Sequence, residues 1–293
     1  MALSTLLTKG LLTNFFEGYN AAETNWDKVA TKVPSTARSE TYGWLGSVPR
    51  LREMKGERVP KKLMEYSYTI TNKEFEASIE VDHADLKDDQ TGQYGLLARS
   101  IGEAAKTYPD ELIFADLLPN GGSQLCYDGQ YFFDTDHPIG ELGTTQSNLI
   151  TTALDATAFN TARGMLRTMQ DDFGRPTLNN NMDLLIVVPP ALESTAATIL
   201  EAQINASGAT NIYQGQARIL VANWLSDTNN WYLLNTAGTI KPFVLQEREF
   251  IPFESLEDGS QPNFMNKKNY YGTYWRGNAG YGLYQKAVAS IVA

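Results

Sequence analysis

The chain has 293 residues, 42% hydrophobic and 20% charged, and 34 acidic against 24 basic side chains give a formal charge of −10. That length and apolar content suit one large or two modest globular domains with a substantial core and exclude a disordered chain. The acidic balance excludes general affinity for nucleic acid, which needs a net basic face, and a single cysteine, Cys126, excludes an intrachain disulfide.

In chain order, residues 4–27 read as an amphipathic helix. Leu12, Phe15, Phe16, Tyr19, Ala22 and Trp26 recur at three- and four-residue spacing and form one stripe. Either this helix packs on its own core or it is an arm that packs on a neighbour. Lys9, Asn14 and several threonines interrupt the apolar residues here, and no small-residue cleavage site follows, so no signal peptide is evident. No apolar run approaches the roughly 18 residues of a membrane span, so the default expectation is a soluble intracellular protein.

Residues 38–64 carry Gly43, Gly46, Pro49, Gly56 and Pro60, which fit neither a long helix nor a central strand. Within this stretch, at 50–62, Arg50, Arg52, Lys55, Arg58, Lys61 and Lys62 stand against only Glu53 and Glu57, a basic loop in an acidic protein. Residues 74–89 are the reverse, with Glu74, Glu76, Glu80, Asp82, Asp85, Asp88 and Asp89 against Lys87. Such blocks can pair within a chain or between copies. The loop could equally bind phosphate or simply be solvated. Between and into them, residues 66–82 alternate as β-structure: Tyr66, Tyr68 and Ile70 share one face, Phe75, Ala77, Ile79 and Val81 another, with a turn or bulge at 71–73.

A helix of about residues 91–118 follows, with Leu96, Leu97, Ile101, Ala104 and Ala105 as its apolar stripe. Pro109 either kinks it or starts a second helix, for which Asp110 and Glu111 are suitable first-turn residues. Asn120-Gly121-Gly122 ends it. From 151 the pattern turns α/β. Asp155 caps a helix with face Phe159, Ala162, Leu166 and Met169, closed by Gly174. A buried strand at 183–188 leads into a proline-started helix at 190–202, and strands follow in "ARILVANWL" and "WYLLN". Residues 240–293 are β-rich, with the glycines of "GNAGYG" placed where strands bend or approach closely rather than at dinucleotide-binding spacing.

The most chemical-looking stretch is "YDGQYFFDTDHPI", residues 127–139. Asp134, Asp136 and His137 could hold a metal or move a proton. On a strand, however, the two aspartates face one way and His137 the other, and Pro138 keeps His137 extended. The preferred reading is a short "QYFF" strand whose aspartates make side-chain turns. No zinc-protease, serine-hydrolase or phosphate-loop motif is present, and no metal or cofactor is expected.

Seven segments taken in order, "SETYGWLGSVPRLREMKGER", "TNKEFEASIEVDHADLKDDQTGQYG", "YPDELIFADLL", "CYDGQYFFDTDHPI", "LLIVVPPALESTA", "KPFVLQERE" and "YGTYWRGNAGYGLYQKA", resemble the major head subunit family of phage Mu and Mu-like prophages over about residues 10–290. The resemblance implies an α+β chain with the Hong Kong 97-like capsid fold. It implies an N-terminal arm at 1–35, an extended loop at 36–82, a peripheral domain with a long spine helix at 83–150, an axial domain at 151–244 and a return to the peripheral domain at 245–293. It also implies a non-enzymatic subunit that assembles with itself into hexamers and pentamers of a virion shell in the bacterial cytoplasm. Its other implied partners are a separate scaffold protein, a portal, and packaged DNA held only by weak non-specific proximity; no membrane is involved. On this reading Arg50, Arg52, Lys55 and Arg58 contact a neighbouring subunit. Two alternatives are a cellular nanocompartment shell of the same fold and a metal-dependent hydrolase using Asp134, Asp136 and His137.

Overall fold

The computed structural model describes residues 2–43, 68–88, 92–140, 143–177, 182–205, 208–257 and 259–292. The basic residues Arg50, Arg52, Lys55 and Arg58 lie outside them. Helix α1 (Ala2–Ala21) stops short of the expected Trp26, which instead opens the one-turn helix α2 (Trp26–Val29). Strand β1 (Ala30–Pro34) and the hairpin β2 (Ser39–Tyr42) and β3 (Tyr68–Thr71) follow, the hairpin with Tyr42 opposite Tyr68. After Asn72 comes β4 (Lys73–Asp82), where Phe75, Ala77, Ile79 and Val81 turn inward and the intervening residues are exposed, as the alternation predicts. Helix α3 (His83–Lys87) leads to the long α4 (Gln93–Glu111).

Pro109 neither starts a helix nor ends this one. Helix α4 continues through a π-helical turn, Leu112–Leu117, into α5 (Leu118–Asn120), and then stops as expected before Gly121. Pro109 leaves the Ala105 carbonyl without its usual amide partner, yet the helical backbone runs on past it, and the wider turn begins three residues later. The buried face of α4 also differs from expectation. Leu96 and Leu97 are exposed, and the buried positions are Ala98, Gly102 and Asp110. Small residues matter because α1 crosses at backbone distance: a Cβ on Gly102 would lie 2.1 Å from the Phe15 carbonyl oxygen. Asp110 does not cap its own helix; its carboxylate accepts from the Asn25 amide (2.9 Å) and the Trp26 amide (2.6 Å), capping α2 across the fold.

Short strands β5 (His137–Pro138), β6 (Thr145–Gln146) and β7 (Leu149–Ile150) precede α6 (Ala156–Thr168). Asp155 caps α6 as read from sequence, through the Ala158 amide, but the helix ends at Thr168 and Gly174 sits in a separate turn with φ +70°. Next come β8 (Leu184–Val188), a 3-10 turn at Pro190–Leu192, α7 (Glu193–Leu200), β9 (Arg218–Val221) and β10 (Trp231–Asn235). Two 14-residue strands, β11 (Phe243–Leu256) and β12 (Lys268–Tyr281), flank the short helix α8 (Gln261–Asn266). A 3-10 turn, Tyr284–Lys286, leads to β13 (Ala287–Ser290).

Two sheets result. One has the order β1-β11-β12-β4, the other β7-β13-β10-β8-β9. Helices α1 and α4 cover one face of the four-stranded sheet through Leu11, Val81, Ala98 and Tyr271. Strand β8 explains the apolar run "LLIVV": Leu184, Ile186 and Val188 pack against α6 and α7, while Leu185 and Val187 pack on the opposite core with Phe132, Phe133 and Tyr281. That second core joins the two sheets, and burial of its large aromatics supplies most of the drive to hold them together.

Candidate functional site

The chemistry-bearing stretch sits at that junction. "QYFF" is not a strand: Phe132 and Phe133 are both buried, so the side chains do not alternate, and only Tyr131 bridges to Leu125. The Asp128-Gly129 turn, with Gly129 at φ +86°, folds this loop back on itself. Asp134 accepts from the amides of Thr135 (2.7 Å) and Tyr131 (3.3 Å), the side-chain turn expected of it. Asp136 is exposed and His137 fully buried, so the predicted trio does not converge.

What meets His137 instead is Asp128, Asn148 and Tyr284. Its Nδ1 lies 2.7 Å from Asp128 Oδ2, and its Nε2 lies 3.2 Å from Asn148 Oδ1. The Asn148 amide is oriented by its other bonds, because Nδ2 donates to Phe132 O (2.8 Å) and Tyr284 O (3.4 Å) and Oδ1 accepts from the Asp134 amide (2.9 Å). Both imidazole nitrogens therefore face acceptor atoms. The ring lies 3.7 Å from the Tyr284 ring, within 5° of parallel. Burial pushes the Asp128 carboxyl up, but the bond and charge of His137, the Cys126 thiol and the Gln130 amide outweigh it and hold the group below its ordinary value. Burial and the neighbouring Asp128 push the Cys126 thiol up.

Among the described residues the one converging set of metal-type ligands is Cys126, Asp128 and His137, with ligand atoms within 4.8 Å of one another. It fits a proton-sharing network better than a metal. Asp128 touches His137 at 2.7 Å and Cys126 at 2.9 Å, separations at which a hydrogen and not a cation lies between. Asp128 and Asn148 were not singled out from sequence; the Asp-Gly pair at 128–129 was the available signal, since it marks a tight turn that returns the chain.

The accessible features lie elsewhere. Strand β4 is an edge of its sheet, and Glu74, Glu76, Glu80 and Asp82 are exposed along it. Glu80 pairs with Lys268, and Glu74 lies 3.4 Å from Arg276. Between this edge and α4 is a cleft of about 430 Å³ lined by Phe75, Tyr108 and Trp275 among small residues. A second cleft, about 640 Å³, lies between the start of α6, α7 and the loop carrying the exposed Ile212. No helix of the described residues is long and apolar enough to cross a membrane.

Comparison with known proteins gives this geometry a context. The family described as Mu-like prophage major head subunit gpT matches residues 4–153, 150–225 and 226–292. The Mu-like prophage FluMu major head subunit of Haemophilus influenzae is 30% identical over 281 residues, which cover 96% of this chain and 70% of that protein. The major capsid protein of Escherichia phage Mu is 30% identical over 296 residues, covering 99% and 75%. A subunit of the bacteriophage JBD30 procapsid superposes with a TM-score of 0.63 at 31% identity, covering all of this chain and 76% of that one.

Proposed function

Since the chain belongs to the Mu-like prophage major head subunit family, we infer that it is the major capsid protein of a Mu-like phage or prophage. It has the α+β Hong Kong 97-like fold and builds the icosahedral head of the virion by association with its own copies. The observation that carries this is the extent of the match: the family spans residues 4–292 with no unmatched segment, and the procapsid subunit superposes on the whole chain.

We further propose a purely structural role, without turnover. His137 and Cys126, the residues best equipped for chemistry, are sealed inside hydrogen bonds. We assign residues 1–35 to an arm, 36–82 to an extended loop, 83–150 and 245–293 to a peripheral domain and 151–244 to an axial domain. Arg50, Arg52, Lys55 and Arg58 of the loop are proposed to meet a neighbouring subunit, which the exposed carboxylates of β4 suit by charge. A separate scaffold and a portal are the proposed assembly partners, and an acidic subunit would keep packaged DNA from adhering tightly.

Electron microscopy of the protein produced with the assembly genes of its own head tests the reading. Closed shells of uniform size are expected. A subunit that stays monomeric at all concentrations with those partners present would refute it.

A further inference from the structure

Resting on the reading that copies of this chain meet in a shell, we propose that the cleft between β4 and α4 is an arginine receptor. Its aromatic trio, Phe75, Tyr108 and Trp275, bordered by Glu74 and Glu76, takes a guanidinium from the basic segment 50–62 of a second copy.

The three rings form an open box. Phe75 and Tyr108 have centroids 4.7 Å apart, Phe75 and Trp275 stack at 5.5 Å, and Tyr108 meets Trp275 edge-on at 6.0 Å. All three are half-buried, so a face remains for an incoming group. Ala77, Ala104, Ala105 and Thr273 complete the lining, and their small side chains leave the roughly 430 Å³ unfilled. Aromatic faces attract cations, and a planar guanidinium stacks on them in a way an ammonium does not.

The surroundings are negative. Among the described residues Glu76 bonds the Ser78 hydroxyl and has no cation partner, while Glu74 has only Arg276 at 3.4 Å. Burial, and then the charges of Glu111 and Asp116, push the Tyr108 phenol up. The matching cation donor is the segment with Arg50, Arg52, Arg58 and three lysines against Glu53 and Glu57. That segment joins the β2–β3 hairpin at Tyr42 and Tyr68, the end of β3 remote from β4. Among the described residues the outer edge of β4 carries no strand of its sheet.

The test measures shell yield from the full chain produced with its head-assembly partners. One variant reverses the loop (Arg50→Glu, Arg52→Glu, Lys55→Glu, Arg58→Glu), another the cleft (Glu74→Arg, Glu76→Arg), and thermal melting checks the fold of each. Each alone should lower yield about tenfold or more, as like charges are then juxtaposed. Combined in one chain, the two reversals should restore shells, since every acidic loop then meets a basic cleft on the next copy. Trp275→Leu, and separately Arg50→Lys with Arg52→Lys and Arg58→Lys, should each lower yield several-fold by removing stacking without changing charge. If the double cleft reversal melts early, Glu76→Gln supplies the same comparison at smaller amplitude. Cleft variants that assemble normally while the loop reversal fails would overturn the receptor and leave the loop contact standing. Normal assembly of both would overturn the loop contact as well. Failure of the combined chain to assemble, with its fold intact by melting, would overturn the pairing of loop and cleft.

Discussion

Replacing His137 by alanine should be among the most damaging single changes available outside the apolar cores. The imidazole has no exposed surface and its partner Asp128 has a side chain 1% exposed, so the variant strands a carboxylate in a dry site. Removing one member of a buried pair costs about 3–5 kcal/mol. The lost stack on Tyr284 and the lost donor to Asn148 act in the same direction. At about 4 kcal/mol the folded-to-unfolded ratio falls roughly a thousandfold. Urea denaturation of the unassembled subunit, followed by tryptophan fluorescence, reads this directly. Asp128→Asn in the His137→Ala background should recover about 1–3 kcal/mol by removing the stranded charge, the sign expected of two coupled groups. A loss below about 1 kcal/mol for His137→Ala, with no recovery from the second change, would refute the coupling of the buried pair.

The same pair sets an acid response. Because the folded-state value of Asp128 lies below the ordinary value, its contribution is present above the unfolded pKa of about 4 and is lost as pH falls through the folded value. The wild type should therefore lose more stability than Asp128→Asn between about pH 5 and pH 2 in parallel urea titrations. Two glycines should respond with opposite signs in the same denaturation assay. Gly102→Ala drives a methyl into the Phe15 carbonyl and should destabilise by about 1–3 kcal/mol, whereas Gly164→Ala, with nothing within 4 Å, should stabilise α6 by about 0.5–1 kcal/mol. Asp110→Ala removes the acceptor of the Asn25 and Trp26 amides and should cost about 1–2 kcal/mol.

The parts of the fold readable from sequence were those governed by local periodicity. The inward residues Phe75, Ala77, Ile79 and Val81 and the Asp155 cap needed nothing beyond spacing and side-chain type. The doubly buried "LLIVV" strand was equally plain, because a continuous apolar run flanked by prolines has few other uses. The misreadings share one cause, a distant partner overriding a local rule. Leu96 and Leu97 are better core formers than Ala98 and Gly102, yet the latter are buried because α1 approaches at backbone distance. Asp110 is suited to its own helix start but serves a helix 84 residues earlier. "QYFF" has strand composition, but its two phenylalanines are both drawn into the core between the sheets. His137 was visible as a chemical residue; its partners, 9 and 11 residues away in the loop, become apparent only once the Asp128-Gly129 turn is built.

The contrast between the two polar regions bears on what kind of protein this is. An enzyme must leave its nucleophile, acid or base accessible to a substrate, and its perturbed groups line a cleft. Here the perturbed thiol and carboxylate and the imidazole are closed off at the joint between two sheets, where their bonds tie the loop at 126–148 to the 3-10 turn before β13. Such a joint fixes the angle between the sheets. The groups left open among the described residues are carboxylates and half-buried rings along the edge strand β4. Charges on an edge strand discourage indiscriminate strand addition, and an aromatic cleft beside them admits one chemistry in preference to others. The joint gives every copy the same platform, and the β4 edge is where we propose that neighbouring copies meet.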